Sequence, residues 1–199
     1  MFERNKLAIV IGHSETDPGA MATDPINSSE YKYNTELAEI IYRCAREKGL
    51  GAQVFTRNKH GLVGCYTEVN EWAKHSNAVC IELHFNAFDG KTRGTETLFD
   101  DDPDDSIDFA RLCHEALCML LKREGKQNRG IKKRLDGRGA KNLALCKVTG
   151  CLVEPFFGDN KDDALKGHVL KFDIAQMLVE CANEFLLDRA EYTQEQAIQ

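Results

Sequence analysis

The segment from Ala78 to Ala87 constrains the fold most, because apolar and polar side chains alternate along it. The alternating residues are Val79, Ile81, Leu83 and Phe85 on one side and Cys80, Glu82, His84 and Asn86 on the other. A period of two residues is typical of a β-strand, whose successive side chains point to opposite faces of a sheet. We therefore predict a strand here, with a polar row at its carboxyl end.

Predicted strands and helices alternate along the rest of the chain. The apolar run from Lys6 to Ile11 predicts a buried strand, and Glu30 to Lys48 predicts an amphipathic helix. Further strands are predicted over 53–56, 95–99, 143–146 and 151–154, and further helices over 66–74, 106–122 and within 162–187. This alternation is typical of a layered α/β domain. We expect one domain over residues 1–188 and a loose polar tail over 189–199.

Charge and hydropathy exclude two classes of partner. The formal net charge is −6, whereas nucleic-acid binding needs a basic surface. No run of apolar residues is long enough to cross a bilayer, and the run after Lys6 is too short for the core of a signal peptide. We therefore expect synthesis in the cytoplasm without a signal peptide, no nucleic-acid partner, no membrane insertion and, as the favoured oligomeric state, a monomer.

The eight cysteines contain no C-x-x-C pair. Several lie singly in apolar periodic segments, where cysteine packs as a small hydrophobe. A disulfide framework is typical of short exported chains. We therefore predict reduced, structural thiols.

Two histidines follow or lie within predicted strands. His13 comes directly after the first strand, and His84 lies on the polar row of the Ala78–Ala87 strand. Ligands of α/β sheets bind at the carboxyl ends of strands, which favours a functional site there. A purely structural histidine at His13, and simple solvent exposure of the polar row at His84, remain the alternatives.

Two glutamates complete a possible catalytic set. Glu30 stands at the head of a buried helical stripe, although Asn27-x-x-Glu30 also has the spacing of a capping box. Glu154 ends an apolar run and precedes Pro155, so it is either a desolvated acid suited to proton transfer or an exposed acid at a strand end. Two histidines, one ligand carboxylate and one unliganded glutamate are the parts of a catalytic zinc site.

An ordered series of motifs resembles the zinc-dependent N-acetylmuramoyl-L-alanine amidases of phage endolysins and bacterial autolysins. The motifs are Ile9-Val-Ile-Gly-His13 with Asp17-Pro-Gly-Ala20, Glu30-x3-Asn34-x3-Ala38, Val54-Phe-Thr-Arg57, Ile81-Glu-Leu-His-Phe-Asn-Ala87, Gly94-Thr-Glu-Thr97, Asn128-Arg-Gly-Ile131, and Leu152-Val-Glu154 through Asn160. They follow one another in the family's order along almost the whole chain. The resemblance implies a single domain with a twisted, mostly parallel or mixed sheet flanked by helices on both faces.

The resemblance also implies residue roles. His13, Glu30 and His84 would bind one Zn²⁺, and Glu154 would be the catalytic acid and base. The substrate would be peptidoglycan, cut at the amide bond between N-acetylmuramic acid and the L-alanine of the stem peptide, as in a phage lysis enzyme. Glu82 stands where a small residue is commoner, so Glu82 would hydrogen-bond a ligand histidine. Asn86 and Arg57 are further candidates for supporting a ligand or contacting substrate.

Alternative interpretations concern the reaction that is catalysed and the role of one basic stretch. A zinc peptidase that cuts within the stem peptide would use the same metal centre, and a catalytically idle wall-binding domain would use none. The stretch 122–141 carries nine basic residues against two acidic ones. It is either a solvated loop or part of a groove for the carboxylates of stem peptides.

Overall fold

The computed structural model describes residues 5–133 and 140–196 of the 199-residue chain. The strands within these ranges are β1 (Asn5–Ile11), β2 (Gly51–Phe55), β3 (Asn77–Leu83), β4 (Thr95–Phe99), β5 (Asn128–Lys133) and β6 (Thr149–Glu154). The helices are α1 (Glu30–Glu47), α2 (Gly61–Ala73), α3 (Ser106–Leu120), α4 (Ala140–Leu145), α5 (Lys161–Val169) and α6 (Lys171–Gln196).

The strands form one mixed sheet in the order β2-β1-β3-β6-β4-β5. β2, β1, β3 and β6 run parallel to one another, whereas β4 pairs antiparallel with β6 and parallel with β5. β3 therefore lies at the centre of the parallel part, and its residues from Ala78 to Leu83 are all buried. Continuous burial of this kind is expected when helices cover both faces of a sheet.

Two apolar layers separate the sheet from its helices. On one face, Leu7, Ile9 and Ile11 of β1 pack with side chains of α1, α3 and α6 in the larger core. On the other face, Ala8 and Val10 pack with α2 in a smaller core. The alternation of β1 between the two cores is the period of a strand. The predicted fold class, an α/β domain with a mixed sheet between helices, is confirmed.

Two segments differ from the sequence prediction. Residues 143–146 were expected to form a strand, but α4 covers most of them, since Leu143 and Cys146 meet the core with the spacing of a helical face. A short apolar run does not distinguish the two periods. β5 was not predicted, because this charged segment pairs only with β4 at the edge of the sheet.

The C-terminal region also differs. The single helix expected within 162–187 is two helices, α5 and α6, which meet at Leu170. The predicted loose tail after Asp188 is wrong over most of its length, because α6 continues to Gln196. The boundary of the catalytic domain at 188 stays a prediction.

The cysteines agree with the expectation of structural thiols. All eight are free, and all except the partly exposed Cys44 are buried. Across residues 5–133 and 140–196, no helix has the length and apolarity to cross a membrane.

Candidate active site

Three neighbouring parallel strands end at the same level of the sheet and bring three candidate residues together. Ile11 of β1 pairs with Leu83 of β3, and Leu83 pairs with Val153 of β6. The residues that follow these positions include His13, His84 and Glu154. The carboxyl ends of parallel strands are where α/β sheets hold ligands. The tertiary structure therefore gathers residues from both ends of the chain at one edge.

Glu30 reaches the same edge from the first residue of α1. Ser29 is the N-cap of this helix, and its side chain accepts a hydrogen bond from the backbone N–H of Lys32. The capping-box alternative, which gave Asn27 the role of the N-cap, is therefore wrong. The Glu30 side chain is only 4% exposed, so it points into the domain rather than toward solvent.

The Glu30 carboxylate lies between the two imidazole rings. Oε2 is 3.2 Å from Nε2 of His13, and Oε1 is 2.7 Å from Nδ1 of His84. Backbone N–H groups fix both oxygens, because Ala20 donates to Oε2 and Phe85 donates to Oε1. One ligand atom from each of the three side chains lies within 4.8 Å of the others. This is a geometry in which a single metal ion could be held.

Two glycines give these side chains the room to meet. A Cβ atom on Gly12 would lie 2.5 Å from ring atoms of His84. Gly19 has a φ of +74°, and a Cβ there would lie 2.6 Å from the His13 ring and 2.8 Å from the Glu30 carboxylate. Both distances are shorter than van der Waals contact, so any other residue would displace a side chain of the cluster. The motifs around His13 quoted above already contained both glycines.

Glu82 supports His84 from the side opposite Glu30. Its Oε1 lies 3.1 Å from Nε2 of His84, and the side chain is fully buried. Solvent exposure of the polar row on β3 is therefore wrong as an explanation, since Asn86 is also only 7% exposed. The polar row instead faces other polar side chains at the end of the sheet.

Three residues from distant parts of the chain hold the Glu82 carboxylate. Arg57 forms an ion pair with Oε1, Asn142 donates to Oε1 over 2.9 Å, and Tyr66 donates to Oε2 over 2.7 Å. The sequence reasoning identified Arg57 but missed Tyr66 and Asn142. Tyr66 was placed on a predicted helix, whereas Asn142 lies in α4, where the sequence predicted a strand over 143–146 instead of a helix.

The pKa values of the cluster show a demand for positive charge. Burial by itself would raise the pKa of Glu30, but hydrogen bonds from His13 and His84 lower it to about 2. Burial would lower the pKa of His84, yet its contacts with Glu30 and Glu82 raise it to about 10. Arg57 is paired with Glu82, whereas the side-chain partners of Glu30 are the two histidines. A divalent cation between the imidazoles and Glu30 would supply the missing charge.

The donor set itself suits such an ion. Imidazole nitrogen and carboxylate oxygen are ligands that Zn²⁺ accepts, and three protein ligands are usual at a catalytic zinc. Nδ1 of His13 is buried and has no hydrogen-bond partner among the described residues. A buried polar atom of this kind is costly unless a ligand engages it. The residues present therefore fit a metal ion.

Glu154 lies in the same cleft as the cluster. The cleft has a volume of about 410 Å³. Its lining includes His13, Glu30, His84, Asn86 and Glu154. Glu154 is the last residue of β6 and is partly exposed, so it can reach a substrate that enters the cleft. The arrangement places a possible metal site and a further carboxylate in the lining of one cavity.

Comparisons with known proteins agree with this geometry. The family model for N-acetylmuramoyl-L-alanine amidase matches residues 7–180. The catalytic domain of an endolysin targeting Clostridia difficile superposes with a TM-score of 0.71 and 28% identity, over 90% of this chain and 97% of that one. A comparison with curated protein sequences found no significant match.

Two further solved structures share the fold. An N-acetylmuramoyl-L-alanine amidase from Clostridium difficile 630 has a TM-score of 0.75 at 19% identity, covering 92% of this chain and 97% of its own. The catalytic domain of the amidase CwlV from Bacillus (Paenibacillus) polymyxa var. colistinus has a TM-score of 0.73 at 20% identity, covering 91% and 98%. Because the family model spans nearly the whole sheet and the cleft residues, the chain belongs to the N-acetylmuramoyl-L-alanine amidase family and is a peptidoglycan amidase.

Proposed function

We propose that this amidase depends on one Zn²⁺ held by His13, Glu30 and His84, and that Glu154 is its general acid and base. The observation that carries the proposal is the convergence of the three ligand atoms within 4.8 Å at the wall of the cleft that Glu154 also lines. Zinc held by three protein side chains keeps a coordination position for water or substrate. When bound, it supplies Lewis acidity toward the amide carbonyl and the attacking water.

Glu154 performs the proton transfers in this proposal. Its carboxylate accepts a proton from the attacking water and returns that proton to the nitrogen of L-alanine as the amide bond breaks. The same group can do both, because the proton taken in the first step is the one required in the second. Glu154 and the two histidines line the same cleft, whose volume of about 410 Å³ leaves room for the amide.

Glu82 and Arg57 act through His84 and are positioning residues. When Nε2 of His84 donates its proton to Glu82, the lone pair of Nδ1 is left facing Glu30 and the metal. A carboxylate that accepts a hydrogen bond from a metal-binding histidine fixes both the tautomer and the orientation of the imidazole ring. Burial would raise the pKa of the Glu82 carboxyl, but the contacts with His84 and then the charge of Arg57 lower it. Asn86 lines the cleft, where its side chain contacts the substrate in this proposal.

The biological role proposed is lysis of a bacterial host by a phage enzyme. It is supported by the 28% identity to the catalytic domain of an endolysin over 90% of this chain. Residues 1–188 would then form the catalytic domain, acting on the wall after the enzyme leaves the host cytoplasm.

Mass analysis of digested peptidoglycan tests the reaction. We expect new free amino groups on L-alanine and no new reducing sugar ends. We also expect a zinc chelator to abolish the activity, and added zinc to restore it. New amino groups inside the stem peptide would instead identify a peptidase. Wall binding without any cleavage by the zinc-loaded protein would identify an idle domain.

A further inference from the structure

A second cavity adjoins the active-site cleft. It has a volume of about 280 Å³ and is lined by Asn86, Phe88, Thr92, Glu96, Arg129 and Phe157. Asn86 also lines the cleft that holds His84 and Glu154, so the two cavities meet at this residue. The second cavity is therefore a neighbour of the cleft.

The second cavity lies beside the catalytic glutamate. Glu96 of β4 pairs directly with Glu154 of β6 in antiparallel register. Directly opposed residues of such a pair have Cα atoms about 4.5–5.5 Å apart and side chains on the same face. Nε of Arg129 donates to Oε2 of Glu96 over 2.7 Å. The guanidinium of Arg129 is thus bound to Glu96 of β4, the strand that neighbours Glu154 of β6.

The charges of this cavity leave an excess of positive charge. Glu96 binds both Arg129 and Lys132, with Lys132 Nζ 2.6 Å from Oε2. Burial alone would raise the pKa of Glu96, but the hydrogen bonds from Lys132 and Arg129 lower this pKa below its usual value. One ionised carboxylate therefore faces two cations. The basic stretch 122–141 is not simply solvated here, because two of its cations line or border a cavity.

The guanidinium of Arg129 is oriented for a planar anion. Its Cζ atom lies over the Phe157 ring, 5.0 Å from the ring centre, and this contact restricts the side chain together with the bond to Glu96. Nε is the nitrogen that binds Glu96, so the terminal nitrogens provide the donors of a bidentate contact. A carboxylate is the planar anion that matches this fork.

Phe88 gives the cavity an apolar wall. Its side chain is 74% exposed, although it lies in a loop whose backbone is fixed. The N–H groups of Phe88 and Gly90 both donate to Oδ2 of Asp159, over 2.9 and 2.8 Å. An exposed aromatic ring held by such bonds beside a cavity is suited to contact the apolar part of a ligand.

We propose that Arg129 and Phe88 form a subsite for the second residue of the stem peptide, with Arg129 binding its free α-carboxylate. The proposal rests on the amidase function and names the part of the substrate that this cavity recognises. In peptidoglycan the chain continues from L-alanine through the γ-carboxyl of D-glutamate, which leaves the α-carboxyl free or amidated. One extended residue spans about 3.6 Å, which places this α-carboxyl roughly 7 Å from the scissile nitrogen.

The residue shared by the two cavities lies at a matching distance from His84. His84 and Asn86 are two residues apart in extended backbone, which corresponds to about 7 Å. Asn86 marks the boundary between the cleft and the Arg129 cavity. A substrate whose scissile amide lies beside His84 therefore brings its second residue to the boundary of the cavity that Arg129 lines.

Two synthetic ligands differing at one group test the subsite. They are N-acetylmuramoyl-L-alanyl-D-isoglutamate, with a free α-carboxylate, and the D-isoglutamine analogue, with an amide there. A hydrogen bond to a charged group contributes more than one to a neutral group, so the zinc-loaded protein should prefer the carboxylate ligand about 10-fold or more in kcat/KM. Arg129→Gln should bring the ratio of the two kcat/KM values close to 1, and Arg129→Lys should retain part of the preference.

A matched control removes the same charge elsewhere. Arg111 is a half-exposed arginine of α3 that pairs with Asp108 in its own helix. Arg111→Gln changes the net charge as Arg129→Gln does, and it should keep the ratio of the unmodified protein. Equal kcat/KM values for both ligands in the unmodified protein would overturn the subsite. So would an Arg129→Gln protein that folds normally and retains the full preference.

Binding separates this inference from the amidase function. The dissociation constants of both ligands are measured by calorimetry on zinc-loaded Glu154→Gln, which should bind without cleaving. A carboxylate preference that depends on Arg129 supports the subsite even if neither ligand is hydrolysed by the unmodified protein. Hydrolysis of both ligands with equal binding would leave the amidase function intact and refute the subsite.

Discussion

The fully buried carboxylate of Glu82 lies 3.1 Å from Nε2 of His84, the ring nitrogen remote from the proposed metal position. The other nitrogen, Nδ1, lies 2.7 Å from Glu30. The His84 ring is thus held at both ends, and neither end can rotate without losing a buried hydrogen bond. A histidine constrained in this way presents one nitrogen to a ligand in a fixed direction.

Replacement of Glu82 should weaken zinc binding. We expect Glu82→Gln and Glu82→Ala each to raise the zinc dissociation constant about 10- to 100-fold, the usual cost of losing a partner of a ligand histidine. Competition with a fluorescent chelator measures this constant. Glu68→Gln, at a half-exposed position on α2, is the matched control and should bind zinc like the unmodified protein. Zinc affinity unchanged in both Glu82 variants would refute the positioning role.

The purified protein should contain close to one equivalent of zinc. His84→Ala should lose most of it, because this replacement removes one of only three protein ligands in the proposed site. Elemental analysis gives the content directly. His168→Ala removes an exposed histidine of α5 and should keep the full equivalent. Full zinc content in both His13→Ala and His84→Ala would contradict the ligand assignment.

Glu154→Gln should separate chemistry from metal binding. The amide keeps the shape of the side chain but cannot accept a proton, so activity on peptidoglycan should fall by about 100- to 10,000-fold. Zinc content and thermal stability should stay near those of the unmodified protein, since no ligand and no core volume are lost. Digestion of wall at a near-normal rate would leave Glu154 as a strand-end acid only.

Removal of one partner of the buried pair Arg123 and Asp163 should strongly destabilise the protein. Both side chains are at most 1% exposed and lie 2.6 Å apart. Arg123→Met would leave the Asp163 carboxylate buried without its charge partner, at a cost of about 3–5 kcal/mol in the free energy of unfolding. Urea denaturation measures this loss in the free energy of unfolding. Arg111→Met, which breaks an exposed pair, should change stability by less than about 1 kcal/mol.

Thiol reactivity should follow burial. Cys44 is the partly exposed cysteine, and the other seven are buried. Burial also raises the pKa of the Cys65 thiol to about 12, which lowers its reactive thiolate fraction at pH 8. A thiol reagent should therefore modify at most one cysteine quickly in the native protein and all eight after denaturation. A reproducible disulfide whose reduction abolishes activity would contradict the structural role.

Sequence periodicity determined the elements that carry the site. The alternation of β3 and the apolar stripe of α1 are local properties, so residue spacing alone predicted where His84 and Glu30 stand. The order of the motifs then linked them with His13 and Glu154 before any contact was known. The glycines beside His13 belonged to the same motifs, although the clashes that exclude other residues at Gly12 and Gly19 became visible only with the rings in place.

The tertiary structure alone decided which polar groups meet. Periodicity tells which face of a strand Glu82 occupies, but not that Arg57, Tyr66 and Asn142 converge on its carboxylate from 25, 16 and 60 residues away. The pairing of Glu96 with Glu154 likewise depends on the antiparallel register of β4 and β6. Such contacts follow from packing of the whole sheet against its helices, because a side chain's partners are set by spatial neighbours rather than by residues adjacent in the chain.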